Sequence, residues 1–585
     1  MWQFIKYVFA TIVGLFLFTL LGFFLFIGLA AALGSSEEKT KVEANTVLKL
    51  DLNNPIQEVS QENPFAEFSG GQGNVIGLID LKSALANAKA DPNIKGIYLD
   101  VQFPMVGWAS ADEVRDALLD FKKSKKFVYA YAEVMTEKAY YLASVADKIY
   151  LNPAGGMEWN GLSAEYDFYK GTLDKLEIKP LVYRVGEFKS AVEPFFRENM
   201  SDASRLQNQS LVNHIFDHAL QNISKARGIA VAQLKNYADS LLIDAPQDAL
   251  KYKLITHVGY YDEFENALRS ELKLKSDDKI NTVGLAKYLK AEKKVKEGSF
   301  DKRIAVIIGE GAIMSGKSGD GTIGSETIAE ELRKARKDKK VKAVVLRINS
   351  PGGSALASDV MWREVQLTRK EKPVVASMSD VAASGGYYMA MGCDKIVAQP
   401  NTITGSIGVF SVLFNFQNTF RNKLGITFDR VNTNAHSDWP SVTREMTPFE
   451  NNRLQRSTEN IYETFTRKAA EGRKMPVEKL KTLASGRVWS GQEAKANGLI
   501  DEFGGLDKAI TLAAQMAKLK EGEYRVKYPA KKDVFEQFVN KLTGEAETRA
   551  LEAQLGDFAP YLKTLRKLQQ MQGTQARLPF DIVIK

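Results

Sequence analysis

Uncharged residues run without a break from Val8 to Leu33. At about 1.5 Å of rise per residue, a helix of that length crosses the ~30 Å apolar core of a bilayer with room to tilt. The run exceeds the roughly 7–15 residues of a cleaved secretory signal, so the pattern predicts a retained transmembrane anchor over 8–33 behind a short stub, 1–7. Ala30, Ala31 and Ala32 leave a small-residue cleavage point in place. Lys6 and the terminal amine favour a cytoplasmic stub, while Lys39 and Lys41 dilute that bias. The expected topology is one span with the bulk of the chain outside the cytoplasm. Beyond the span, continuous apolar runs alternate with stretches of helical periodicity. In the second half the order is IAVIIG, ETIAEELRKARKD, VKAVVLRIN, a glycine turn, SDVMWREVQLTRK, PVVASMS, a helix from about Ala383, and DKIVAQP. Strands apolar on both faces, joined by helices, predict a parallel sheet covered on both sides, hence an α/β fold.

The same pattern occurs twice. VADKIYLNP (145–153) resembles GCDKIVAQP (392–400) at an offset of 247. That offset also aligns IKGIYLD (94–100) with VKAVVLR (341–347), Pro104 with Pro351, and Asp112 with Asp359. DALKYKLITHVGYYDEF (248–264) matches EAKANGLIDEFGGLD (493–507) with the offset changed by two, and VLKLDLNNPI (47–56) mirrors IAVIIGEGAI (304–313). A constant offset over such a length marks a duplication. The expected layout is an N-terminal repeat over 47–284, a Lys/Glu-rich linker over 285–303, a C-terminal repeat over 304–525, and a tail over 526–585. The tail reads as helical and polar, with a possible strand in its last segment, LPFDIVIK.

Composition narrows the function. A chain of 585 residues needs more than one core. Its net charge of +8 is spread through mixed stretches such as EELRKARKDKK, which read as solvated helix faces and give no case for nucleic acid. Cys393 is the single cysteine, so neither an intrachain disulfide nor a cysteine zinc site is available, and its apolar setting marks it as a core residue.

The chemistry points to two strand ends, NSPGGSA (349–355) and AASGGYY (382–388), since loops at strand C-termini gather ligand sites in α/β folds. Ser384 sits there among small residues only, which suits either a tight turn or a nucleophile with room for a peptide beside it. The N–H of Gly385 would open a helix, and Gly353 would supply a second donor, together an oxyanion hole. A serine nucleophile needs a base. His214 and His218 lie four apart on a helical segment, a spacing that can hold a metal, but no third ligand is suggested and both read as helix-face residues. His257 reads as structural. The duplication supplies further pairings. Glu137 stands opposite Ser384, Met105 and Val106 stand opposite Gly352 and Gly353, and Lys189 stands opposite His436. His436, with Asp438 to orient it, is one candidate base; its context NTNAHSDW is polar.

The motifs SPGGS, SDVAASGGYYMA, TGSIGVF, VWSGQEAKANGLID and VGEFKSAVEPF resemble the signal peptide peptidase A (protease IV) family in its long, two-repeat form. The resemblance implies a tandem Clp protease/crotonase-like fold and a serine endopeptidase with a Ser–Lys dyad. It assigns Ser384 as nucleophile, Lys189 as general base and Ser406 as the serine that orients the lysine. It further implies remnant signal peptides and other small hydrophobic peptides as substrates. The implied setting is the bacterial inner membrane, with the catalytic domains on the periplasmic side of a homotetramer and no metal or cofactor. Two other classes stand beside it: a crotonase-like acyl-CoA enzyme, and a catalytically dead membrane scaffold.

Overall fold

The computed structural model describes residues 2–34, 41–60, 75–291, 301–319, 321–529 and 573–577. Trp2–Gly34 forms one helix that contains the expected span, with its described side chains exposed.

The rest is α/β, built twice on one plan. The first-half sheet orders its strands His257–Val258, Lys148–Met157, Phe127–Met135, Ile94–Asp100, Thr46–Asp51 and Thr282–Gly284, all parallel. The second-half sheet repeats that order as Glu502–Phe503, Lys395–Ala398, Val374–Ala383, Val341–Ser350, Lys302–Glu310 and Tyr524–Lys527. Register follows too, Val47 facing Gly96 as Ile304 faces Ala343. Side-chain contacts are duplicated as well. Tyr141 donates to Asp112 as Tyr388 donates to Asp359, and Tyr140 donates to Leu254 O as Tyr387 donates to Leu499 O.

Burial explains the pattern. Strand residues alternate between faces, so a continuous apolar run needs cover on both. Val344 and Leu346 pack under Ser325–Lys337 and Ala355–Arg369, whereas Ala343 and Val345 pack under Leu506–Met516. In Ser325–Lys337 the buried apolar residues Ile328, Ala329, Leu332 and Ala335 recur at helical spacing.

Two readings of the sequence change. The strand expected at PVVASMS continues to Ala383, and its helix starts at Gly385, because the sheet follows it with Ile403–Gly405 paired to Val381–Ala383. The expected linker begins with a helix, Leu285–Lys290, whose Tyr288 is buried in the first core; residues 292–300 lie outside the described residues. The tail's expected helix falls mostly on 530–572, and LPFDIVIK on 578–585, also outside them.

A third sheet joins the halves. Its order is Thr322–Gly324, Ala312–Met314, Gly352–Ser354, Gly573–Arg577, Val409–Asn415 and Lys179–Val185. Buried charge ties the halves elsewhere. Arg347, fully buried, donates to Glu58 Oε2 (2.9 Å), Ser377 Oγ (3.0 Å) and Ser379 Oγ (2.9 Å). Its Nη2 also lies 2.7 Å from Glu113 Oε1, a charge contact without hydrogen-bond geometry. Burial pushes the Glu113 carboxyl up, but Arg347 and Lys82 draw it down to about 2. Gly505 passes so close to Glu113 that a Cβ there would meet the carboxyl at 2.2 Å.

Candidate active site

Ser384 caps the helix Gly385–Ala390 from φ +54°, ψ −109°, a conformation that costs a non-glycine residue on the order of 1–3 kcal/mol. Its own N–H donates to Gly405 O (2.8 Å), and its carbonyl accepts from Tyr388 N. The small neighbours have a packing reason. A Cβ on Gly385 would stand 2.6 Å from Ser358 Oγ, and one on Gly386 2.8 Å from Ser350 O. The turn is therefore tight, and Ser384, itself fully buried, points at a lysine.

That lysine comes from the first half. Lys179–Val185 runs antiparallel to Val409–Asn415, with Val185 opposite Val409, which brings the chain beside the residues just after Gly405. It turns at Gly186, whose φ is +108° and whose Cβ would meet Ser485 O at 2.3 Å. Lys189 follows, on the edge of the short turn Ser190–Val192. Its stem lies in a slot that two glycines keep open. A Cβ on Gly486 would be 2.6 Å from Lys189 Cβ, and one on Gly408 3.2 Å from Lys189 Cδ. Lys189 Nζ reaches Ser384 Oγ at 2.9 Å, Ser406 Oγ at 2.9 Å and Ser406 O at 3.2 Å. Ser406 also holds a positive φ, +49°.

Lys189 is fully buried, and among the described residues it has no carboxylate partner within 4 Å. Burial alone holds its amine well below the ordinary lysine value. The electrostatic requirement of a lysine base, neutrality near pH 7, is met by dehydration rather than by a neighbouring cation. Val192 and Phe195 complete the apolar wall.

Opposite, Ser350 Oγ donates to Gly311 O (2.7 Å) and accepts from Gly352 N (3.1 Å), which fixes the start of the glycine pair. Gly352 has φ +95° and Gly353 +157°; a Cβ on Gly352 would lie 2.7 Å from Gly385 N. The two glycine loops thus meet beside Ser384.

The histidines are elsewhere. His436 Nδ1 lies 2.9 Å from Glu450 Oε1, and the ring stacks on Phe449. Asp438 is taken by Arg444, so no His–Asp pair forms. His214 contacts Ser210 and Glu493, and His218 contacts Asn222 and Asp112. His257 stacks on Tyr150. In the first half, Glu137 is a buried carboxylate accepting from Asn160 N (2.8 Å) and Gly161 N (2.6 Å), while the helix cap itself is Thr136.

Sequence reasoning missed Gln207, which donates to Ser190 Oγ (2.9 Å) beside Lys189 and accepts from Val488 N (3.1 Å) in the second half. Nothing in its helical context, SRLQNQS, marks it. The role of Gly486 was equally silent, although TGSIG and VGEFK, which it serves, stood out.

The model for peptidase family S49 matches residues 120–275 and 366–520. Protease 4 of Salmonella typhi is 35% identical over 486 residues, covering 81% of this chain and 78% of its own. The chloroplastic serine protease SPPA of Arabidopsis thaliana is 35% identical over 82% of this chain and 70% of its own. Protease 4 of Haemophilus influenzae is 32% identical over 86% and 84%. Among solved structures, a ClpP1 mutant from Listeria monocytogenes aligns with 36% of this chain and 95% of its own, at 13% identity and a TM-score of 0.24.

Proposed function

The chain belongs to peptidase family S49 and is a serine peptidase, and from that premise we propose a Ser–Lys dyad split between the two halves. Lys189, neutral, takes the proton from Ser384 Oγ as that oxygen attacks a peptide carbonyl. The N–H groups of Gly353 and Gly385 receive the oxyanion, the latter at a helix start where the dipole favours negative charge. Collapse of the tetrahedral intermediate passes the lysine proton to the leaving amine. Water, activated by the same amine, then releases the acyl group. Ser406 holds Nζ toward Ser384. The observation that carries the reading is the 2.9 Å contact between Lys189 Nζ and Ser384 Oγ in a fully buried setting.

The helix Trp2–Gly34 is about 50 Å long at 1.5 Å per residue, ample for a bilayer. We read it as a single-pass anchor over 8–33 in the inner membrane, with the stub cytoplasmic and the peptidase on the periplasmic side. An anchored site lies near remnant signal peptides, which are the proposed substrates with other small hydrophobic peptides. A homotetramer enclosing its sites would keep folded proteins from Ser384.

The test uses the purified full chain in detergent and a hydrophobic peptide ester, with Ser384→Ala as background. Lys189→Ala is expected to fall to that background while His436→Ala keeps most activity. A dead His436→Ala beside an active Lys189→Ala moves the base into the second half. Turnover that survives Ser384→Ala removes the covalent mechanism and points to the acyl-CoA type of chemistry.

A further inference from the structure

One strand of the third sheet has no counterpart in the first half. Gly573–Arg577 lies between Gly352–Ser354 and Val409–Asn415, antiparallel to both. Arg577 faces Gly352, Ala576 faces Gly353, and Gln575 faces both Ser354 and Phe410. Ser411 Oγ donates to Thr574 Oγ1 at 2.9 Å, and Ala576 is fully buried. Without that segment, two strand edges flank an empty slot of one strand's width. An extended peptide entering such a slot satisfies both edges through its main chain.

The slot passes the reacting serine. A Cβ on Gly352 would stand 2.1 Å from Ala576 O, and one on Gly385, the residue after Ser384, 3.0 Å from the same oxygen. The Ala576 carbonyl therefore lies against both glycine loops, where the oxyanion donors are proposed. Resting on the Ser–Lys reading above, we propose that Gly573–Arg577 is a tethered substrate and that Ser384 cuts its own chain between Ala576 and Arg577. Ser384 Oγ bonds to the Ala576 carbonyl carbon as its proton goes to Lys189. The C–N bond breaks and that proton passes to the Arg577 nitrogen. Water then hydrolyses the ester, leaving a carboxylate on Ala576 and freeing residues 577–585, RLPFDIVIK. The docked strand also indicates the preferred binding mode: an extended peptide with a small residue before the cut, as alanine is here.

Intact-mass spectrometry of the purified full chain tests this, with ester hydrolysis measured on the same samples. Wild type is expected to lack residues 577–585 and Ser384→Ala to retain them. When affinity-tagged Ser384→Ala is incubated with wild type, it is expected to stay whole, because the strand docks within its own chain. Wild type that hydrolyses the ester but keeps residues 577–585 overturns the self-cut and leaves the dyad standing. Wild type that does neither overturns both. A cut at another bond, the same trimming in Ser384→Ala alone, or trimming of Ser384→Ala by wild type overturns the register, the nucleophile or the own-chain docking respectively.

Discussion

Gly486 is the place where one added methyl group should disable the enzyme without touching a reacting atom. Its φ is +79°, and a Cβ there would stand 2.6 Å from Lys189 Cβ and 2.7 Å from Lys189 N. Carbon atoms in ordinary contact keep about 3.5–4.0 Å, so the two segments must part by roughly 0.9 Å. Lys189 has no free direction to take up that shift, since its stem is hemmed by Gly408 and its Nζ is fixed by three acceptors. A misplacement near 1 Å at the reacting atoms costs on the order of 10²-fold in rate. That equals ~2.7 kcal/mol in the barrier. The left-handed backbone adds ~1–2 kcal/mol of strain to the fold. Gly486→Ala is therefore expected to lower kcat about 100-fold while KM for a hydrophobic peptide ester moves less than about threefold. Gly228→Ala separates the two effects. Gly228 also has a positive φ, +70°, but nothing stands within 4 Å of its Cβ position, so it should lose stability and keep kcat. Steady-state kinetics on both variants, with thermal melts alongside, decide the matter. If Gly486→Ala retains the kcat of Gly228→Ala, the slot is not what places the lysine.

The pH profile should follow Lys189. Only its neutral form accepts a proton, so kcat/KM should rise about tenfold per pH unit and level off at a value well below 10.5; a profile still climbing at about pH 10 refutes the buried base. Stability carries the same sign. Between the folded value and the ordinary ~10.4 the unfolded chain binds one more proton, so wild type should gain ~1.4 kcal/mol per pH unit over Lys189→Met there; a flat difference across about pH 8.5–9.5 contradicts it. Arg347→Met leaves Glu58 and Glu113 without their shared cation and should cost ~3–5 kcal/mol by chemical denaturation; a loss under about 1 kcal/mol would place the stabilisation elsewhere.

The repeat was legible because both halves obey the same burial rule, and a fixed offset survives wherever strands and helices keep their lengths. It drifted where the structure drifts. By residue count Glu137 faces Ser384, but by helix cap Thr136 does, since the second-half strand runs one residue longer into its turn. The setting of Ser384 was legible through its small neighbours, which reflect close approach of Ser350 and Ser358. Lys189 was not legible from residue physics. It lies 195 residues from Ser384, and no local pattern encodes which lysine a fold will bury; resemblance supplied that pairing. The charge network was hidden for a related reason. Arg347 ends an apolar strand like any solvent-facing arginine, and only packing of the halves closes Glu58 and Glu113 over it. Gly573–Arg577 was invisible because GTQAR has no strand periodicity; its two edges are provided by the rest of the molecule.

The division of labour between the halves follows from what each position can bury. A lysine acts as a base only if its ammonium form is made costly, and that requires removing it from water on every side. Within the second half, the position matching Lys189 by repeat is His436, on a stretch from Ile426 to Thr447 without helix or strand, with its side chain 45% exposed. A lysine there would keep its proton. Within the first half, the turn matching Ser384 holds Glu137 tied to two backbone N–H groups, and the loop matching the glycine pair holds Met105 and Val106. Neither half can assemble the chemistry alone. Burial of Lys189 is achieved by Gly408 and Gly486 from one half closing over the stem from the other, so the interface itself lowers the base's proton affinity. Loosening that interface should therefore raise the pKa of Lys189 before it unfolds the chain. Under this coupling, Gln207→Ala, which cuts one tie between the lysine turn and Val488, should move the acid limb of the kcat/KM profile upward while leaving the plateau within about threefold. An unmoved limb with a lowered plateau would assign Gln207 to positioning alone and sever the link between interface and proton affinity.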